Sequence, residues 1–164
     1  MSNATSIDST LVNAISRATM DVLKTMANTD ALFKGVTAKP DYIGTGDISA
    51  IIGITGDSGE GMVGISFSTK LASLIVSRLL GQTPESISGD DRCDGIGELV
   101  NMISGNAKVS LSQASGTPYK LSLPTIILGV GHEVASRPKN NPYLMMTFEV
   151  EGMDFHLQLS FKPR

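Results

Sequence analysis

The spacing of apolar residues along the chain predicts three helices. In chain order they are a long one from Ser6 or Asp8 to about Thr29, a short one over Thr69–Leu80 that Gly81 stops, and the longest over Asp90–Gln113. In the longest helix, one apolar stripe recurs every three or four positions and consists of Ile96, Leu99, Val100, Ile103, Ala107 and Leu111. We expect this stripe to be buried against the rest of the domain.

Alternation of apolar and polar residues predicts strands in the remaining stretches. They are Ile43–Thr55, Met62–Ser68, Leu144–Val150 and Met153–Phe161, with a turn at Glu151-Gly152 and irregular segments at Val36–Asp41 and Ser136–Pro142. Tyr119–Leu123 is predicted to be a brief extended piece before Pro124, and Ile126–Val130 is a compact apolar run. The last hairpin is apolar on one face and mostly polar on the other. We therefore predict an α+β fold in one domain over residues 1–164, with long helices packed on one face of an antiparallel sheet.

Composition and charge narrow the classes of function. The chain has 164 residues, 41% of them hydrophobic, which is enough for one folded core. Its formal net charge is −3 and its basic residues occur singly, so nucleic acid is not an expected partner. No apolar run reaches the roughly 20 residues of a membrane span, and the first residues lack the order of a secretory signal. We expect a cytoplasmic protein, and its single cysteine, Cys93, agrees with a reducing compartment.

Few residues suggest chemistry that the chain performs alone. Neither His132 nor His156 has a second histidine or cysteine at ligand spacing, so no metal site is expected. No serine lies in a strand-to-helix turn, and Cys93 has no histidine near it in sequence, which argues against nucleophilic catalysis. The string Gly59-x-Gly61-x-x-Gly64 matches a dinucleotide-binding pattern, but it leads into a strand and not into a helix that would hold a pyrophosphate.

The polar side of the longest helix holds the candidate site. Opposite the apolar stripe lies a polar row of Asp94, Glu98, Asn101, Gly105, Lys108 and Ser112, flanked by Gly97. A glycine inside a helix costs about 1 kcal/mol relative to alanine. The glycines of this helix therefore serve either close packing within the domain or a low surface that another protein's backbone can approach.

Glu98 and Asn101 are one turn apart and point the same way, so they present a carboxylate and a carboxamide together. A carboxamide both donates and accepts hydrogen bonds, and it can hold a water molecule in line with an electrophile, as the glutamine of small GTPases does. Asp94 and Glu98 could instead divide acid and base roles in a hydrolase, which would require a deep pocket beside the helix. A plain solvated helix surface is the third interpretation.

The string Asp94-x-x-x-Glu98-x-x-Asn101, with residues 102–123 between Asn101 and Pro124, resembles the signature of the CheC/CheX/FliY family of response-regulator phosphatases. The segment GELVNMISGNAK looks like the central helix of that family. Only one copy of the motif is present, because no glutamate precedes Glu60 and the predicted short helix contains none. In this respect the chain resembles CheX and departs from the two-site pattern of CheC.

The resemblance implies a chemotaxis-type phosphatase in two-component signalling, acting on the phosphoaspartate of a phosphorylated CheY-like receiver domain. Asn101 would orient the attacking water, Glu98 would pair with the receiver's active-site lysine, and Asp94 and Pro124 would be supporting positions. The helix surface that faces the partner would include Gly97, Gly105 and Lys108. The receiver would supply Mg²⁺, so that the chain needs no metal or cofactor of its own. Family members of the CheX type also suggest a homodimer paired through sheet edges, and the alternative function is a non-catalytic module that binds the receiver.

Overall fold

The computed structural model describes residues 2–134 and 143–164, with side chains from residue 9 onward. The predicted irregular segment Ser136–Pro142 lies outside the described residues. The elements are α1 (Ser2–Ala27), β1 (Leu32–Lys39), β2 (Tyr42–Ile43), β3 (Ile48–Gly56), β4 (Gly59–Phe67), α2 (Thr69–Leu80), a 3₁₀ turn (Pro84–Ser86), α3 (Gly89–Ser115), β5 (Tyr119–Leu121), β6 (Thr125–Leu128), β7 (Glu133–Val134), β8 (Tyr143–Val150) and β9 (Met153–Pro163).

One antiparallel sheet carries the fold, in the strand order β1-β8-β9-β4-β3-β5, and β6 also pairs with β3. The inward residues of β4 alternate, with Val63 and Ile65 fully buried in the same core as residues from all three helices. Met62, which directly precedes Val63, packs on the opposite side of the sheet. The helices therefore share one face of the sheet, and the predicted α+β class is confirmed.

The opposite face of the sheet is covered in part by the two-stranded sheet of β2 and β7, which the sequence pattern did not predict. Tyr42 of β2 is buried there, and its hydroxyl lies 2.6 Å from the Ser66 hydroxyl. The Gln158 side chain accepts a hydrogen bond from the Ile43 amide at 3.0 Å and donates one to the Ile43 carbonyl at 2.6 Å. Of the polar face predicted for the last hairpin, Gln158 is buried against β2, whereas Asp154 is exposed and His156 and Ser160 are half-buried.

The early strands differ from prediction. The segment Val36–Asp41, expected to be irregular, begins inside β1, which pairs with β8. The apolar alternation fails there because β1 is an edge strand and its register shifts between Phe33 and Gly35. The predicted strand Ile43–Thr55 is divided into β2 and β3. No α-helix among the described residues is long and apolar enough to cross a membrane.

Helix α3 is close to its predicted bounds and has strong ends. The Ser88 hydroxyl accepts a hydrogen bond from the Asp91 amide, and the Asp91 carboxylate accepts one from the Ser88 amide, which completes a capping box. Gly116 ends the helix in the left-handed conformation at φ 73°. All six residues of the predicted apolar stripe are buried. A Cβ at Gly95 would lie 2.6 Å from Cγ2 of Val76, so this glycine permits close packing of α3 on α2.

Two glycines of α3 give a matched test of that packing. We expect Gly95→Ala to lower the free energy of unfolding, because Val76 is fully buried and cannot move away from the added methyl group. Overpacking of this kind costs about 1–3 kcal/mol, which exceeds the gain in helix propensity. Gly105→Ala meets nothing within 4 Å and should raise stability by about 0.5–1 kcal/mol. Urea unfolding measures both changes, and equal stability of the two variants would contradict the packing assignment.

His156 makes the stability of the fold depend on pH. Burial lowers the pKa of this imidazole, whose Nδ1 lies 2.7 Å from the Thr45 hydroxyl, although nearby Asp154 acts in the opposite direction. His156 therefore binds a proton more readily in the unfolded chain than in the folded one. Its contribution to the free energy of unfolding is fully present above the pKa of the unfolded chain, near 6.5, and is lost as the pH falls below that value. We expect the free energy of unfolding to decrease from about pH 7.5 to about pH 5.5. His156→Gln, which keeps His132, should show a smaller decrease; an unchanged slope would rule His156 out as the cause.

Candidate functional site

The predicted polar row lies on the outer side of α3. Asp94, Glu98 and Asn101 are exposed, opposite the buried stripe. In the part of the chain that the structure describes, the side chains of Glu98 and Asn101 make no hydrogen bond or ion pair. A carboxylate and a carboxamide are thus offered one turn apart with their bonding capacity unused.

The backbone under this pair is firmly held. Leu99 and Val100, which lie between Glu98 and Asn101 in sequence, are both fully buried in the core. Arg92, one to two turns earlier, donates a hydrogen bond to the Ser73 hydroxyl of α2 at 3.1 Å. A site on such a helix has a fixed orientation, as chemistry that depends on the position of one group requires.

Pro124, far from Glu98 in sequence, packs in the structure at Gly97, the residue before Glu98. A Cβ at Gly97 would meet Cγ of Pro124 at 3.7 Å and Cδ1 of Ile126 at 3.3 Å. The segment that leads into β6 therefore packs directly on the helix turn that carries Glu98. The structure thus brings together all four positions of the sequence motif, three on α3 and one on the neighbouring segment.

Gly97 itself is not on the exposed surface. It is buried, and the expectation that it lies on the partner-facing surface of the helix is corrected. The reason is its position between the polar row and the apolar stripe, where Pro124 and Ile126 cover it. Gly105, in contrast, has nothing within 4 Å of where a Cβ would be, and Lys108 follows one turn later, half-buried. Gly105 therefore leaves an open depression in the row beyond Asn101.

The surroundings of Asp94 and Glu98 do not favour an acid–base hydrolase. Both side chains stand on the exposed side of a helix. An apolar cavity of about 310 Å³ lies near the other end of α3, where Leu111, Ser115 and Phe161 contribute to its lining. Two carboxylates open to solvent on a helix surface lack the concave setting that usually holds a small substrate.

The histidines and the cysteine have other surroundings. Nε2 of His132 lies 2.6 Å from the Ser49 hydroxyl, and its Nδ1 lies 2.7 Å from the Gly129 carbonyl, which places this ring in the hydrogen-bond network behind the sheet. Cys93 is a half-buried free thiol. Within residues 2–134 and 143–164, no three His, Cys, Asp or Glu side chains lie close enough together to hold a metal ion.

Sequence reasoning missed the residue that precedes Pro124. Leu123 is 89% exposed, the highest value among the large apolar side chains of the described residues. The sequence predicts a brief extended piece over Tyr119–Leu123, whereas β5 ends at Leu121. An apolar residue directly before a motif proline was the available signal, because proline favours an extended turn over a buried strand interior.

In a comparison with protein families, the model described as "Chemotaxis phosphatase CheX" matches residues 48–149. The matched range includes all of α3 and the segment with Pro124. A curated relative from Thermotoga maritima, "CheY-P phosphatase CheX", is 26% identical over 157 residues, which are 93% of this chain and 97% of the relative.

Solved structures give the same result. A CheC-like superfamily protein from Shewanella sp. PV-4 is 30% identical with a TM-score of 0.81, over 93% of this chain and 97% of that one. The chemotaxis protein CheX from Vibrio vulnificus is also 30% identical with a TM-score of 0.81, over 93% and 99% of the two chains. A more distant protein, in a CheX–CheY–BeF₃–Mg²⁺ complex from Borrelia burgdorferi, shares the fold at 19% identity and a TM-score of 0.74, over 92% and 97% of the chains.

Proposed function

The chain belongs to the chemotaxis phosphatase CheX family, and we propose that it hydrolyses the phosphoaspartate of a CheY-like receiver domain. The observation that carries the proposal is the exposed pair of Glu98 and Asn101 on a rigid helix, with Pro124 packed beside it. The name of the Thermotoga relative states this activity for that protein, and the Borrelia complex contains a CheY. Both support a receiver as the partner of this surface.

In the proposed reaction, Asn101 enters the receiver's active site and holds a water molecule in line with the phosphorus atom. The bond from water oxygen to phosphorus forms while the bond from phosphorus to the aspartate oxygen breaks, and the aspartate leaves as a carboxylate. A carboxamide does not accept a proton at neutral pH, so the proton of the water passes to the phosphoryl oxygens or to solvent. Phosphoryl transfer leaves little covalent work to protein groups, which suits a residue that only positions the water.

Glu98 would fix the orientation of the complex. Its exposed carboxylate makes no ion pair with the described residues and can therefore accept a charge-assisted hydrogen bond from the receiver's active-site lysine. Asp94, one turn earlier, and Pro124 support this position. We propose that Gly105 and Lys108 continue the partner-facing surface beyond Asn101. The receiver supplies the Mg²⁺ in this scheme.

Substitution of the pair tests the proposal. We expect Asn101→Ala to lower kcat about 100-fold or more, because the water loses its positioning group. Glu98→Ala should lower kcat/KM about tenfold to 100-fold through the loss of one charge-assisted hydrogen bond. Phosphate release from a phosphorylated receiver in the presence of Mg²⁺ measures both. Asn106→Ala removes another exposed asparagine of α3 and should leave the rate unchanged.

The possible results separate the two functions. Unchanged dephosphorylation with both Asn101→Ala and Glu98→Ala would remove the phosphatase assignment. A wild-type chain that binds the phosphorylated receiver without faster phosphate release would establish the alternative, a non-catalytic receiver-binding module.

We also propose that two copies of the chain pair through a sheet edge. β1 is at one end of the sheet order, and it exposes two apolar side chains, Leu32 at 60% and Val36 at 46%. An edge strand with unpaired backbone groups and exposed apolar residues favours pairing with another strand. A second copy of β1 would cover both.

Light scattering tests this pairing. We expect the wild-type chain to have twice the 17.3 kDa mass of one chain. Val36→Lys should yield the mass of one chain, because a lysine on an edge strand opposes strand addition. Val109→Lys, at an exposed valine of α3, should remain paired. A wild-type mass equal to that of one chain would overturn the pairing.

A further inference from the structure

The segment between β5 and β6 carries an exposed leucine next to the candidate site. Leu123 is 89% exposed, and the following residue, Pro124, packs on the backbone of α3 at Gly97. Glu98 is the next residue of the helix. Leu123 therefore lies on the border of the surface that presents the carboxylate and the carboxamide.

The exposure of Leu123 is built into the backbone. The Ser122 amide donates a hydrogen bond to the Gly53 carbonyl at 2.9 Å, and the Gly53 amide donates one to the Ser122 hydroxyl at 2.8 Å. The same hydroxyl donates to the Leu123 carbonyl at 3.1 Å. With Pro124 fixing the backbone on the other side, Leu123 is held outward between two anchored residues.

A second exposed leucine, Leu128, lies in β6, the strand that follows Leu123 and Pro124. Ile126 and Leu128 are two residues apart in β6, so their side chains are on the same face of the sheet. Ile126 contacts α3 at Gly97, which identifies this as the helix-covered face. Leu128 is nevertheless 66% exposed. Leu123 and Leu128 thus flank the Pro124–Ile126 contact, and together we call them the apolar rim.

We propose that the apolar rim is a docking surface for the receiver domain on which Glu98 and Asn101 act; this deepens the proposed function and rests on it. The surface is continuous with the catalytic pair through Pro124, so a protein that brings an acyl phosphate to Asn101 covers it. Specific complexes bury about 800 Å² on each partner, far more than two side chains of a helix provide. The centre of such an interface is apolar, whereas the row on α3 is polar and acidic. The rim supplies the apolar part, and it fits a receiver with an apolar patch beside its active site.

The rim and the polar row then have separate effects on the kinetics. Contacts that are equal in the bound substrate and in the transition state change KM and leave kcat unchanged. Leu123 and Leu128 touch the receiver outside the reacting atoms in this proposal. Their loss should therefore weaken association, whereas the loss of Asn101 slows the bound complex.

The test uses a receiver domain that the wild-type full chain dephosphorylates. We expect Leu123→Ser to raise KM about tenfold, as the loss of one buried leucine contact implies, with kcat within about twofold of the wild type. Leu128→Ser should raise KM in the same direction. The dissociation constant for the same receiver with beryllium trifluoride and Mg²⁺ bound should rise in parallel. Leu80→Ser, at a 49% exposed leucine at the end of α2, is the matched control and should change none of these values.

Each outcome has a definite meaning. An unchanged KM and an unchanged dissociation constant for Leu123→Ser overturn the rim while the phosphatase function stands. A change in the mass of the chain from light scattering, with unaltered receiver binding, assigns the rim to a second copy of the chain and also overturns the proposal. If the wild type accelerates no phosphate release and binds no receiver, the proposed function fails and the rim fails with it. Thermal unfolding of the variants checks that these surface changes leave the fold intact.

Discussion

The structure depends on the burial of one stripe of α3 against the sheet. Four residues of that stripe, Ile96, Leu99, Val100 and Ile103, have no exposed surface. Each side chain of this size stabilises the fold by about 1.5–3 kcal/mol when it is fully buried. A rotation of α3 by one residue, about 100°, would expose part of the stripe and carry Asn101 toward the sheet. The outward direction of Glu98 and Asn101 is therefore a consequence of the core, and it needs no contact made by those two side chains.

The glycines of α3 serve two purposes. Gly95 lets the helix approach α2, and Gly97 lets the segment with Pro124 and Ile126 lie directly on the helix. Both belong to internal packing, so the cost of a glycine in a helix is offset by contacts that a Cβ would prevent. A Cβ at Gly105 would meet nothing within 4 Å, so no contact within the described fold offsets the lower helix propensity of this glycine. Close approach of a partner protein would explain a glycine at this position, since internal packing explains Gly95 and Gly97 but not Gly105.

The sequence predicted the helices and strands correctly wherever the repeat of apolar residues continued over enough positions to be recognised. The stripe of α3, the helix ended by Gly81 and the β8–β9 hairpin follow from repeats of 3.6 and 2 residues, and so does the outward side of Glu98 and Asn101. It was insufficient for β2, whose two residues carry no period, and for β1, where an edge position and a bulge remove the alternation. Only the resemblance to a family placed Pro124 in the same motif as Glu98, since no local pattern relates positions so far apart. The exposure of Leu123 was not predicted, because it depends on the tertiary structure and the identity of an apolar residue does not reveal it.

A phosphatase of the proposed kind holds only part of its active site, and this division explains why the pair lies on an exposed helix surface. A chain that encloses its substrate needs a pocket, whereas a chain that completes another protein's site needs an exposed surface with a fixed direction. Helix α3 supplies the direction, because its phase is set by the core on one side. The water can be aligned only while the two proteins are docked, so the surface beside the helix contributes to the rate through the lifetime and geometry of the complex. A rigid row of polar groups bordered by outward leucines meets both requirements with residues from two adjoining segments of the fold.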